Sequence, residues 1–149
     1  MTQYLQIHPD DPQPRFLARA AEVVREGGVI AFPTDSCYSL GCHLGDKDAV
    51  DRIRAIREVD DRHHLTLMCR DLSEIAQYAR VDNSQYRLLK ATTPGSYTFI
   101  LEGTKELPRR VVHPKRKTIG LRVPDHKTAL ALLAELGEPL LTSTLIIPG

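Results

Sequence analysis

Between Pro33 and Gly41 the chain reads Pro33-Thr34-Asp35-Ser36-Cys37-Tyr38-Ser39-Leu40-Gly41, a run crowded with hydroxyl and thiol side chains. A hydroxyl both donates and accepts hydrogen bonds, so residues of this type suit the polar groups of a small ligand. The run follows Val29-Ile30-Ala31-Phe32, an apolar, β-branched and aromatic stretch that reads as a buried strand. Proline cannot donate to a sheet ladder, so Pro33 ends that strand and turns the chain. Open α/β sheets collect ligands at such strand ends; a polar turn after a core strand is the competing reading. A second set of residues is cationic. From Lys105 through Arg122 the chain carries seven Lys or Arg residues against one acid, Glu106. Such a run reads as a solvated loop or as point charges for backbone phosphates. A third set, His63-His64 beside Asp60-Asp61, has metal-ligand residue types. Adjacent residues project apart on a strand and no third ligand stands nearby, so this set reads as a polar loop. Cys37 and Cys42 lack spaced partners for the same purpose.

The elements that must position these residues follow from periodicity and punctuation. Phe16, Leu17, Ala20, Val23 and Val24 fall at helical spacing, and Gly27-Gly28 stops that helix. Val50, Ile53 and Ile56 predict one face of a second helix, with Arg52, Arg54 and Arg57 around its polar side. Arg57 either closes that helix favourably against its dipole or binds phosphate. Leu65 to Met68 reads as a strand, and Asp71-Leu72-Ser73-Glu74 as a capping box in which the glutamate reaches back. Asp82-Asn83 caps a fourth helix carrying Tyr86, Leu88 and Leu89. Tyr97 to Leu101 and Thr118 to Val123 are strands, and Arg122 alternates with Ile119, Leu121 and Val123 on the second of them. Ala129 to Leu136 is a short helix ended by Gly137, and Leu140 to Leu145 a final strand. Strands and helices mix without strict alternation, which predicts an α/β domain with a mixed, twisted sheet.

Composition bounds the partners. At 149 residues the chain is read as one domain over 1–149 with a single core. A net charge of +1 gives no global reason to bind nucleic acid or membranes, so any such case rests on local clustering. Three cysteines without CxxC spacing point to free thiols in a reducing cytosol. No apolar run is long enough for a membrane span and the start is no signal peptide, so a cytoplasmic location without membrane contact is expected. With no tryptophan and 5% aromatics, a platform for stacking single-stranded bases is not expected.

The segment from Pro33 to Gly41 resembles the Pro-Thr-x-Thr-x-Tyr-Gly-Leu signature of the YrdC domain family, which includes threonylcarbamoyl-adenylate synthases. Four further blocks follow in order. Ala49 to Arg57 is similar to the helix leading into the family's Lys-x-Arg element, and Thr93 to Leu101 to its Pro-Gly-x-x-Thr strand entry. Ile119-Gly120-Leu121-Arg122-Val123-Pro124 is similar to its Gly-x-Arg-x-Pro strand, and Leu140 to Ser143 approaches its Ser-x-Asn strand. Met68 to Glu74 and Gly103-Thr104-Lys105 look closest to the YciO subgroup.

The resemblance implies a single α/β domain, a twisted mixed sheet with packed helices and a concave basic surface. The family domain continues for several more elements, so the sheet is expected to be C-terminally incomplete at Gly149. It implies joining of ATP, L-threonine and bicarbonate into threonylcarbamoyl-adenylate for tRNA modification, with Mg²⁺ carried in by ATP. Arg57 and Arg122 would be catalytic, and Thr34, Ser36, Tyr38, Thr98 and Ser143 would hold substrate and nucleotide. Lys115-Arg116-Lys117 would be a further source of cations for the leaving group. Departures bear on the activity. Val59 stands where the second cation of Lys-x-Arg is expected and Leu145 where the asparagine of Ser-x-Asn is expected, while Ser36 and Ser39 replace threonine and glycine. A weakened synthase is one expectation. The alternative is a non-catalytic protein that meets double-stranded RNA or tRNA through Arg109, Arg110, Lys115, Arg116 and Lys117, by backbone contact rather than base readout.

Overall fold

The first helix, α1 (Pro14–Arg25), begins on a proline, which suits a first helical turn because its missing N–H has no helical acceptor there. It ends where Gly27 takes φ +88° and Gly28 N–H returns to the Val23 carbonyl at 2.8 Å. The computed structural model describes residues 5–7, 10–59 and 64–144. Beyond α1, α2 (Lys47–Arg57) starts on Asp46, whose carboxylate accepts from Ala49 N–H at 3.0 Å. α3 (Leu72–Tyr78) starts on Asp71, which accepts from Glu74 N–H at 2.9 Å. The expected reciprocal bond shifts by one residue, since Glu74 Oε1 accepts from Arg70 N–H. α4 (Asn83–Thr92) carries a complete capping box between Asp82 and Gln85. α5 (Lys127–Leu136) ends on Gly137 at φ +78°.

Among the described residues six strands form one sheet in the order β1 (Ile30–Pro33), β2 (Tyr38–His43), β6 (Leu140–Thr144), β3 (Thr66–Met68), β5 (Thr118–Arg122), β4 (Phe99–Glu102). Only β3 and β5 run parallel; every other neighbouring pair is antiparallel. The mixed α/β sheet predicted above is therefore present. β2 is an addition, because the run after the Pro33 turn continues as a strand rather than a loop.

Alternation along the strands divides the core in two. Phe32, Met68 and Leu140 pack with Leu17, Ala21 and Val24 of α1 and with Ala129, Leu132, Leu133 and Leu136 of α5. Leu40, Leu67, Ile119, Leu121 and Leu141 point to the other face and meet Val50 and Ile53 of α2, Ile75 of α3 and Leu89 of α4. The α2 stripe differs from the expected one. Ala49, Val50 and Ile53 are buried, but Ile56 is 52% exposed, because the stripe continues at Arg57, one helical turn beyond Ile53. Tyr86 and Leu88 likewise lie exposed on α4. None of the helices among the described residues is long and apolar enough to cross a membrane.

Candidate functional site

Pro33 pairs with Tyr38, so residues 34–37 form the turn of the β1–β2 hairpin. Thr34 organises it. Its N–H and its hydroxyl both donate to the Cys37 carbonyl, at 3.0 and 2.7 Å, and its Oγ1 accepts from the N–H groups of Ser36 and Cys37. The hydroxyl thus stands in for missing backbone bonds of a tight turn. Ser36 Oγ lies 3.3 Å from Thr34 Oγ1 and is exposed, as is the Tyr38 side chain.

This turn frees Asp35 to reach across the molecule. Asp35 Oδ1 accepts from Arg122 Nη2 at the end of β5, and Oδ2 accepts from Asp125 N–H at 3.0 Å in the turn before α5. The Arg122 side chain is 5% exposed and that of Asp35 14%. Arg122 Nε donates to the Gly95 carbonyl at 3.3 Å, and Gly95 N–H returns to Val123 O at 2.8 Å. Burial lowers the affinity of the Arg122 guanidinium for its proton. Arginine still keeps its charge in proteins, and a buried cation needs the partner that Asp35 provides. Asp35 was not singled out from the sequence. An acid beside proline and hydroxyls reads as an ordinary turn former, and its partner lies 87 residues away.

Arg122 pairs with Met68 across β3 and β5, so its side chain leaves the sheet on the α1/α5 face. Gly120 opens on the same face, and a side chain there would come within 3.0 Å of Thr66 Oγ1 and 3.1 Å of Thr98 Cγ2. The floor beside Arg122 is therefore low and lined by threonines. Thr142 adds a hydroxyl in register with Thr66, already donated to the Thr66 carbonyl at 2.8 Å. Thr98 itself is exposed just before β4.

Arg57 and Ser143 meet elsewhere. Ser143 pairs with Leu40 and shares its face, toward α2. Arg57 Nε donates to Ser143 Oγ at 3.1 Å, and Ser143 is buried. The two arginines expected to act together thus approach the sheet from opposite faces. Val59 follows the left-handed Glu58 that ends α2, and Leu145 lies outside the described residues.

The basic stretch is less uniform than its sequence. Arg109 and Arg110 sit on a short 3₁₀ turn, where Arg110 donates to the Gly45 carbonyl and its own carbonyl accepts from Arg54. Lys115 and Arg116 N–H groups donate to His113 Nδ1, and Lys117, at φ +58°, folds its Nζ onto the Pro114 carbonyl. All five cationic side chains are exposed and none pairs with a carboxylate among the described residues. This turn precedes Thr118, at the opposite end of β5 from Arg122. Of the His/Asp set, Asp60, Asp61 and His63 lie outside the described residues; His64 hydrogen-bonds Thr118 and stacks on His113. Cys42 is buried and its thiol is pushed up to about 12 by burial first and Asp46 second. Cys69 is pushed up in the same way, while Cys37 is half-buried in the turn.

The sequence model Sua5/YciO/YrdC, described as "Telomere recombination", matches residues 22–149. The crystal structure of Escherichia coli YciO superposes with a TM-score of 0.96 at 58% identity, over 100% of this chain and 72% of that one. A threonylcarbamoyl-AMP synthase of Chromobacterium violaceum is 33% identical over 137 residues, 91% of this chain and 70% of that protein. The P. abyssi Sua5 structure complexed with L-threonine has a TM-score of 0.82 at 26% identity, covering 89% of this chain and 39% of that one.

Proposed function

The chain belongs to the Sua5/YciO/YrdC family, and from that premise we propose that it binds ATP and L-threonine and joins them with bicarbonate into threonylcarbamoyl-adenylate, releasing pyrophosphate. One observation carries this reading: Arg122, a buried cation held in one position, stands beside a glycine floor lined by Thr66 and Thr98. A small anionic substrate needs a fixed cation next to neutral hydrogen-bonding groups, and this face supplies both. The L-threonine complex of the related P. abyssi protein supports the choice of amino acid. In this reading Thr34 and Ser36 close the site from the turn, with Tyr38 beside them. Arg57 is bonded to Ser143 on the opposite face of the sheet, so in this reading charge that develops on the departing pyrophosphate falls to Arg122. Mg²⁺ arrives with the nucleotide phosphates. Activity is weakened by Val59, which offers no polar contact where the family expects a cation.

Pyrophosphate release, followed with ATP, bicarbonate and each amino acid in turn, tests the proposal. Release that depends on threonine supports it. No release above background with any amino acid, from a folded protein, rejects the synthase reading. A second reading has its own support in the carboxylate-free turn of Lys115, Arg116 and Lys117 next to Arg109 and Arg110. There the protein holds double-stranded RNA or tRNA by its phosphates, with affinity that falls steeply with salt. Filter binding to double-stranded RNA at graded salt separates the two.

A further inference from the structure

We infer that Asp35 is a positioning residue: its carboxylate holds both the Arg122 guanidinium and the 34–37 turn, leaving Arg122 Nη1 presented to an anionic substrate group. The substrate part rests on the proposed function above; the holding part does not. Each oxygen of Asp35 is taken by a different element, Oδ1 by Arg122 on β5 and Oδ2 by Asp125 N–H in the turn before α5. On the arginine, Nε is taken by Gly95 and Nη2 by Asp35. A guanidinium is rigid and planar, so fixing two nitrogens fixes the third. Nη1 has no partner among the described residues, yet it is not sealed from solvent. Arg54 Nε is the one buried side-chain nitrogen or oxygen among them without a partner.

The base under Asp35 is itself stiff, because Thr34 ties its N–H and hydroxyl to Cys37. Asp35 therefore starts from a defined turn and ends on two donors from distant parts of the chain. Loss of its charge frees the guanidinium to turn toward other acceptors and frees the hairpin turn to lift. A rival account follows from the same contact. A carboxylate on Arg122 and a backbone N–H could occupy the place of the substrate anion, as a latch that binding must displace. The two accounts differ in sign, since removing a positioning group weakens ligand binding whereas removing a competitor tightens it.

Cys37 supplies a readout independent of any ligand. It is half-buried in the turn, whereas Cys42 and Cys69 are fully buried, so labelling of the native protein by a thiol reagent reports on the turn alone. Asp35→Asn and Arg122→Gln should each accelerate Cys37 labelling several-fold. The double variant should go no further than the faster single one, because both break one bridge. Calorimetric affinity for L-threonine or ATP should fall about tenfold in Asp35→Asn, the scale of one charged hydrogen bond, with Asp35→Glu in between. Unchanged labelling, or effects that add in the double variant, overturns the inference. Faster labelling with tighter ligand binding also overturns it, in favour of the latch. If the wild-type protein binds neither ligand, the proposed function fails while the labelling cycle still decides whether Asp35 holds Arg122 and the turn. Should Asp35→Asn not fold, Asp35→Glu carries the same labelling comparison.

Discussion

Arg122 and Arg116 lie on one short stretch of chain around β5, but they occupy opposite physical regimes. Arg122 is 4% exposed, with a carboxylate and a carbonyl on two of its nitrogens. Arg116 stands in solvent on the turn before β5, and its contact to His113 is made by its backbone N–H. In water a charge keeps most of its solvation and interacts weakly with neighbours; in the interior the same charge is costly alone and strongly directional when paired. A buried, oriented arginine suits recognition of one small group in one geometry. A cluster of solvated cations suits a polyanion whose exact position does not matter.

Breaking the buried side should have the largest effect. Arg122→Ala leaves the Asp35 carboxylate without its cation, and should cost about 3–5 kcal/mol of stability in urea unfolding. Any loss of ligand affinity in this variant must therefore be read at a temperature where it is folded. A cost below the effect of an ordinary surface change would mean that Asp35 is solvated as freely as Arg116. Arg57 stands between the regimes, half-buried and bonded to the buried Ser143 hydroxyl. Arg57→Ala should cost about 1–3 kcal/mol, the range for a hydroxyl left without its charged partner. Ser143→Ala in the same background should then add little, and a full additive loss would show that the bond is not made.

Glu74 sharpens the contrast, because it is a buried charge with incomplete compensation. Burial raises its pKa first of all, the Arg70 N–H and guanidinium oppose this, and Asp71 and Glu138 raise it further. Raised in the folded state, the carboxyl binds its proton more tightly folded than unfolded. Its contribution to stability is greatest below the unfolded pKa and declines as pH rises from about 4.3 through the folded value. Glu74→Gln should thus gain in melting temperature relative to wild type as pH goes from 4 to 8; a difference that is flat with pH would contradict the shift. Smallest in stability is the solvated side. Replacing Lys115, Arg116 and Lys117 by alanine should leave unfolding within about 0.5 kcal/mol of wild type. If double-stranded RNA binds there, the same variant flattens the salt dependence by about one unit per lost phosphate contact.

The pattern of apolar residues made most of the fold legible. Helices with strong caps and strands bounded by proline or glycine were placed from sequence, and Asp71 and Asp82 show why: each cap acts within three residues of itself. β2 was not read as a strand because its residues facing α1 are Ser39, Gly41 and His43, which carry no hydrophobic alternation. Phe32 from the neighbouring strand fills the space instead, lying 2.9 Å from where a Gly41 side chain would begin. Ile56 shows the limit of periodicity within a helix, where Arg57 rather than the isoleucine continues the buried stripe. At the site, residue types pointed to the turn and to Arg122, but what joins them is one carboxylate acting over 87 residues. Local pattern holds no trace of such a pairing.

The position of β6 sets an order of events that no list of contacts displays. It is the last strand in the chain among the described residues, yet it lies at the interior of the sheet, between β2 and β3. Without it the ladder falls into a hairpin of β1 and β2 and a separate trio of β3, β5 and β4. The hairpin closes over a short loop, whereas joining the two parts requires contacts between residues far apart in sequence, the slow kind in folding. Ser143 rides on that strand. The Arg57–Ser143 bond can therefore form only once β6 has docked beside β2 and under α2, which makes it a marker of that docking step on a refolding chain.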